Sequence, residues 1–333
     1  MPKGEYLQYG GQAIIEGVMM RSPHWFAVAC RAPNKQIIVH TEHLEKTWVG
    51  RQKWLKWPFF RGSFALLETM GLGVKAMRFA SRVQMDPMYA EETSEEAGKP
   101  MNTKVQDLAI GSTLVFSLGM GVLIFNYLPN LLSESLRSQG FSGTLINFIT
   151  EVIKIALFLG YMYAIGRLPD IQRVFQYHGA EHKAINAMEA NRPLTVEETA
   201  VQTRLHPRCG TSFAIVVLLV SMVIFTFVPR YPFGEKLPYL YNVTARFFVE
   251  MLVLPIISGI AYEIIRIAGK FKNSAAVQAL LWPGLMSQYL TTREPDAEHM
   301  EVALAALQAV VNEELKETGG GEDIALESAP LPA

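Results

Sequence analysis

The sequence is poor in charge and in cysteine, and both shortages narrow the class of protein. Charged residues make up 18% of the 333 positions, below the roughly 25% usual for soluble domains. The net charge is −1, so no overall basic field indicates a nucleic-acid partner. Two cysteines, Cys30 and Cys209, are too few for a disulfide framework and favour a reducing compartment. The first eleven residues also lack the apolar core of a signal peptide.

Hydrophobic residues make up half of the chain, and they are concentrated in four long runs. The runs, at about 107–128, 145–165, 211–228 and 247–267, each hold roughly the 20 residues that cross the hydrocarbon core of a bilayer. Lysine and arginine favour the loop between the second and third runs, which predicts that this loop and both termini are cytoplasmic. We therefore expect a predominantly α-helical multipass membrane protein, with about four transmembrane helices and the lipid bilayer as partner.

The remaining segments are shorter and more polar. Short apolar stretches at 13–20, 25–30 and 36–40 predict a small cytoplasmic β-rich region. Residues 59–82 are apolar but carry spaced charges, which predicts an interfacial or re-entrant helix. An apolar stretch at 275–290 is expected to break at Pro283. The predicted segments are a β-rich region (1–58), an interfacial helix and acidic linker (59–106), a first pair of transmembrane helices (107–166), a cytoplasmic loop (167–210), a second pair (211–268), cytoplasmic amphipathic helices (269–317) and a disordered tail (318–333).

The cytoplasmic loop carries the residues with the clearest chemistry. His178 and His182 are four positions apart with Glu181 between them, and positions i and i+4 share one face of a helix. This His-x-x-Glu-His order is that of the inverted zincins. His206 and Cys209 follow, so four candidate ligands lie within 32 residues. Imidazole and thiolate both suit Zn²⁺, although another divalent metal would also fit.

Two interpretations of this cluster stay open. With three protein ligands and a water the site would be catalytic, and Glu181 would be the general base of a metal-dependent hydrolase. With four protein ligands it would be structural, in a non-enzymatic membrane scaffold, and Glu181 would orient a histidine. No substrate can be read from the sequence.

Acidic residues in the apolar runs offer a third interpretation, a transporter component. Glu250 lies near the outer end of the fourth run, where its side chain can snorkel to the interface. Glu263 lies near the cytoplasmic end, where it either supports the metal site or pairs with Arg266 at i+3. Glu151 is expected to pair with Lys154 in the same way. With only four spans, a transport pathway would require a homo-oligomer.

Four stretches together resemble a known family. They are GGQAIIEGVMMR (10–21), YHGAEHK (177–183), HPRCGTS (206–212) and TTREP (291–295). They are similar to the YqhQ-like family of bacterial multipass membrane proteins, which is of unknown function and is described as predicted metal-dependent enzymes. The resemblance covers nearly the whole chain, and it implies a location in the bacterial inner membrane. It implies that the segment 10–21 belongs to the functional unit, with Glu16 and Arg21 as candidate supporting residues.

Overall fold

The computed structural model describes residues 9–44, 60–89, 103–270 and 275–318. The four strands are β1 (Gly10–Ile14), β2 (Gly17–Arg21), β3 (Trp25–Arg31) and β4 (Ile37–His43). The ten α-helices of these ranges are α1 (Phe60–Met85), α2 (Thr103–Val122), α3 (Leu128–Glu134), α4 (Gly143–Ile165), α5 (Pro169–Glu189), α6 (Val196–Ala200), α7 (Gly210–Phe227), α8 (Tyr239–Lys270), α9 (Ala275–Thr291) and α10 (Ala297–Thr318).

Most of the predicted acidic linker and nearly all of the predicted tail lie outside the described residues. The predicted class, mostly helical with a small N-terminal sheet, is confirmed.

The sheet is an antiparallel meander in the order β1-β2-β3-β4. Residues 13–20, expected to form one strand, instead form parts of two, because Ile14 pairs with Gly17 across a two-residue turn. Glu16 in this turn has a φ of 51°, a conformation that few non-glycine residues adopt. The Glu16 carbonyl accepts a hydrogen bond from the Arg31 amide at 2.8 Å, which ties the turn to β3.

Both faces of the sheet are covered by helices. Because side chains alternate along a strand, Val18, Met20, Ala27 and Ala29 point towards α5 and α10, whereas Met19, Phe26, Val28 and Cys30 point towards α1. Helix α10 is buried along most of its length between the sheet and α5. The expected amphipathic helix is therefore a core element that fixes α5 against the sheet.

Four helical stretches are long and apolar enough to cross a membrane: 111–139, 143–165, 210–227 and 239–267. The first is not one regular helix, because a π-helical turn at 123–127 separates α2 from α3. Helix α8 begins eight residues before the predicted start of the fourth run. Its first turns contain polar residues that are buried in the bundle, namely Asn242 and Arg246, and the apolar pattern alone does not detect such turns.

Six buried ionic side chains connect these helices at the end of the bundle opposite α5: Glu134, Glu151, Lys154, Arg230, Arg246 and Glu250. The Lys154 ammonium lies 2.7 Å from Glu151 and 2.6 Å from Glu250, which confirms the predicted pair with Glu151. Arg246 also pairs with Glu250 at 3.0 Å. Glu250 therefore does not snorkel, because it is 1% exposed and its carboxylate is held by cations from α4 and α8.

Helix α9 was expected to break at Pro283, and this prediction was wrong. The helix continues through Pro283 to Thr291. A proline inside a helix removes one hydrogen bond, but α9 is held by packing on both sides of it. At the next residue, Gly284, an added Cβ would lie 3.0 Å from the Ser212 Cβ on α7, so the two helices are in close contact there.

Candidate metal centre

The two histidines of the motif lie on α5, close to its middle. Pro169 occupies the first turn of this helix and Asp170 follows it, and both residues favour a helix start. The turns that carry the motif are buried from Tyr177 to Ile185 except at His178, which is half-buried. The helical spacing predicted from the sequence therefore places both imidazoles on one protected face.

Both histidines are oriented by backbone carbonyls. The Nδ1 atom of His178 lies 2.8 Å from the Thr291 carbonyl oxygen, and that of His182 lies 2.6 Å from the Arg204 carbonyl oxygen. A carbonyl can only accept, so each Nδ1 is the protonated nitrogen. In the neutral imidazole each Nε2 then has a lone pair, and this is the arrangement usual for histidines that bind metal through Nε2.

Cys209 brings the third donor atom to the same place. It is the N-cap residue of α7, and its Sγ lies 3.1 Å from Nε2 of His178. One donor atom each from His178, His182 and Cys209 lie within 4.8 Å of one another. Zinc bonds of about 2.0–2.3 Å to nitrogen and sulfur require donor atoms a few ångströms apart, so these three side chains fit a zinc ion.

The electrostatics of the cluster favour the ligand form of the thiol. Burial on its own raises the pKa of Cys209, but the facing imidazoles of His178 and His182 hold it well below its usual range. For His178, burial lowers the pKa, and the negative charge of Cys209 raises it to about 9. A cysteine held as thiolate is a strong ligand for Zn²⁺.

His206 is not one of these three donor residues, although its ring lies next to that of His182, with the ring centroids 5.6 Å apart. Its buried Nε2 lies 3.7 Å from Oε1 of Glu189, and Glu189 also pairs with Arg208. The backbone of His206 is held at both ends by Gln288, with hydrogen bonds of 2.8 Å and 2.7 Å. His206 thus helps to fix the loop before Cys209, and its role as a metal ligand stays a prediction.

Glu181 lies beside the three donor atoms. Its Oε2 is 3.4 Å from Nε2 of His182, and the residue is 3% exposed. Strand β1 covers it, because a Cβ added at Gly11 would lie 2.6 Å from the Glu181 side chain. The segment 10–21 therefore contacts the motif directly, and a glycine is needed where it crosses the carboxylate.

The candidate supporting residues Glu16, Arg21 and Glu263 each contact a residue other than the three donor residues. Glu16 accepts hydrogen bonds from Arg173 and from the Tyr177 hydroxyl, the latter at 3.2 Å, so it anchors α5 one turn before His178. Arg21 pairs with Glu68 of α1 at 2.7 Å. Glu263 lies 4.0 Å from Arg266 on its own helix, the i+3 pair considered as an alternative.

Sequence reasoning missed the residues that orient the ligands. Thr291 and Arg204 act through their carbonyl oxygens, which no side-chain pattern reveals. Gln288 also bonds the Ser212 hydroxyl at 2.6 Å, and nothing in its local sequence indicates this role. The one available signal was the stretch 291–295, which carried part of the resemblance and lies against α5. Gly179 contacts the Arg293 carbonyl there.

Comparisons with known proteins identify the family of this chain. Residues 57–313 match a family described as a protein of unknown function, DUF1385. The chain belongs to this family. It is also 34% identical over 307 residues to the uncharacterized protein YqhQ of Bacillus subtilis (strain 168), covering 91% of this chain and 92% of that protein. No solved structure matches the chain. Neither the family nor the Bacillus protein has an assigned activity. These matches therefore do not support the description of the family as metal-dependent enzymes.

Proposed function

We propose that this protein is a zinc-dependent hydrolase embedded in the bacterial cell membrane, with its metal centre at the cytoplasmic face. One observation carries the proposal: three donor atoms of His178, His182 and Cys209 lie within 4.8 Å of one another, with the Glu181 carboxylate 3.4 Å from one of them. Three protein ligands with a carboxylate alongside are typical of catalytic zinc sites, which keep one coordination position open.

Each side chain has a defined part in such a site. His178, His182 and Cys209 would hold the ion, which supplies Lewis acidity towards water and substrate. Glu181 accepts a proton from the attacking water as general base and returns it to the leaving group. The Thr291 and Arg204 carbonyls keep the two imidazoles in the ligating tautomer. Gly11 covers Glu181, which removes bulk water from the carboxylate.

The proposed location follows from the apolar helices and the basic loop. The four apolar stretches support a membrane environment. The segment between α4 and α7 carries more lysine and arginine than the loops at the other end of the bundle, which favours a cytoplasmic position for α5 and both termini.

Metal analysis of the purified full-length protein tests the proposal. We expect about one equivalent of zinc per chain in the wild type and less than a tenth of that in His178→Ala. The matched control is His40→Ala, which removes an exposed imidazole from β4 and should leave the metal content unchanged. Absence of stoichiometric metal from the wild type would refute the proposal.

A structural zinc site in a non-enzymatic scaffold is the second candidate, and burial favours it. His182 is 1% exposed and Cys209 is 7% exposed, so a substrate would need the strand over Glu181 to move. Glu181→Gln separates the two functions, because it removes the base but keeps the shape. If cellular function survives Glu181→Gln while Cys209→Ser abolishes it and releases zinc, the scaffold is correct. Loss of function with retained zinc in Glu181→Gln supports the hydrolase.

The transporter interpretation has less support. Glu250 accepts hydrogen bonds from Asn126, Asn130, Lys154 and Arg246, which gives it a structural role between the helices. Glu263 is the other carboxylate of the transporter interpretation, and it pairs with Arg266 on its own helix.

A further inference from the structure

A basic pocket of about 360 Å³ lies where α4 ends, and nothing in the proposed function uses it. Its lining residues are Tyr163, Gly166, Arg167, Tyr289, Leu290 and Arg293. The candidate span on α4 ends at Ile165, so the pocket lies at the end of the apolar stretch, with Tyr163 in its last turn and Gly166 and Arg167 just beyond it. Tyrosine and arginine at this depth are typical of the headgroup level of a bilayer.

Two guanidinium groups line this pocket, and a third lies next to one of its lining residues. Arg167 and Arg293 line it, and Arg204 lies 5.4 Å above the Tyr289 ring. Within the described ranges, no carboxylate lies at ion-pair distance from any of the three. The buried arginines 230 and 246, in contrast, both pair with glutamates. Positive charge is therefore concentrated here without a neutralising acid from the described part of the chain, and an anion would supply the missing charge.

The arginines are positioned but keep donors for a ligand. Arg167 stacks on the Tyr163 ring at 4.4 Å and donates to its hydroxyl. Arg293 donates to the Gly166 carbonyl at 3.3 Å, where it offsets the negative end of the α4 helix dipole. A guanidinium has five N–H groups, so each can still bind a phosphate oxygen. Planar donor pairs of this kind match phosphate geometry.

The pocket and the metal centre share two chain segments. The carbonyl of Arg204 orients His182, while its side chain faces Tyr289. Two residues before Arg293, the Thr291 carbonyl orients His178. A ligand in the pocket would therefore lie against the same backbone that orients the two histidines.

We propose that this pocket binds the phosphate of a phospholipid headgroup. On the face of α4 that leads to Tyr163, the side chains of Val152 and Ala156 are exposed and that of Leu159 is partly exposed, and they offer an apolar surface for acyl chains. A free phosphate would use the arginines but not this surface, so the lipid is the occupant that the surroundings favour. The binding does not require the metal, so it stands or falls separately from the hydrolase.

Lipid binding to the full-length protein in detergent tests this proposal by native mass spectrometry. The probes are a short-chain phosphatidylglycerol, the diacylglycerol with the same chains, and inorganic phosphate alone. We expect phosphatidylglycerol to bind at least about tenfold more tightly than either other probe. Arg167→Gln should reduce that affinity by at least about tenfold, and it should keep the wild-type zinc content.

The control variant is Arg192→Gln, which removes one exposed cation that does not line the pocket. Its affinity should stay within about twofold of the wild type. An equal loss in both variants would mean non-specific attraction and would overturn the proposal. So would unchanged binding in the pocket variant, or diacylglycerol or inorganic phosphate binding as tightly as the phospholipid. Chelation of the metal should leave lipid binding unchanged, which separates this result from the test of the hydrolase.

Discussion

Nε2 of His178 lies 3.1 Å from Sγ of Cys209, although the two residues are 31 positions apart in the chain. The contact joins the middle of α5 to the first turn of α7, so it closes the whole loop between the second and third candidate spans. Each partner is fixed independently, His178 by the Thr291 carbonyl and Cys209 by its N-cap position. The fold thus preorganises the donor atoms, and a metal ion would not have to gather them.

Zinc should protect Cys209 from alkylation. The metal would occupy the lone pair that attacks the reagent, and chelation would expose a thiolate. We expect iodoacetamide to modify Cys209 at least about tenfold faster after chelation, measured by mass spectrometry of the peptide that contains it. In His178→Ala the protection should be lost, whereas His40→Ala should behave as wild type. The same rate with and without chelator would contradict metal binding by this thiol.

Cys30, in contrast to Cys209, should stay a neutral and unreactive thiol at alkaline pH. Burial, with a smaller contribution from Glu16, raises its pKa from 9.0 to about 12. A raised pKa means that the neutral thiol is the stable form in the fold, so its contribution to stability is complete below pH 9 and is lost as pH approaches 12. In the native protein Cys30 should therefore resist iodoacetamide at pH 8 and at pH 10. Denatured protein at pH 10 is the control, and it should react fully. Rapid modification of native Cys30 at pH 10 would show that the thiol is neither buried nor protonated.

Local patterns in the sequence were enough to predict the apolar spans and the pairing of His178 with His182. Each prediction needs only one local feature of the sequence. For the spans it is the length of an apolar run, and for the two histidines it is the i, i+4 spacing that places them on one face of a helix. The position of His206 was not predictable in this way. It depends on Gln288 of α9, which holds the His206 backbone 82 residues away, and on Glu189, towards which its imidazole points.

The role of Glu250 was likewise beyond local reasoning. A glutamate near the end of an apolar run has the same local sequence whether it snorkels or is buried. Its partners Asn126, Lys154 and Arg246 come from three separate helical elements. Only the packing of those elements decides that the charge is neutralised inside the bundle.

Gly179→Ala should weaken the contact between α5 and the segment 291–295. An added Cβ at Gly179 would clash with the Arg293 carbonyl, and a backbone atom cannot move aside as a flexible side chain does. We expect a loss of about 1–3 kcal/mol in the free energy of unfolding, together with weaker zinc binding because Thr291 orients His178. Gly160→Ala is the control, because nothing lies within 4 Å of its added Cβ. That change should be neutral or stabilise by about 0.5–1 kcal/mol. Equal effects of the two substitutions would refute the close approach at Gly179.

Lys154→Met should strongly destabilise the helical bundle. Lys154 is 5% exposed and contacts both Glu151 and Glu250. Without it, three carboxylates and two arginines remain, and because Arg230 pairs with Glu134 and Arg246 with Glu250, Glu151 is left without a cation. Removal of one partner from a buried ionic cluster leaves an uncompensated charge, which costs about 3–5 kcal/mol.

Lys316→Met is the matched control, because Lys316 is mostly exposed and pairs with Glu313 at the surface, where an ion pair contributes less than about 1 kcal/mol. Chemical denaturation in detergent measures both. A loss for Lys154→Met no larger than that of the control would mean that water reaches the cluster, and the six side chains would then not hold the spans together.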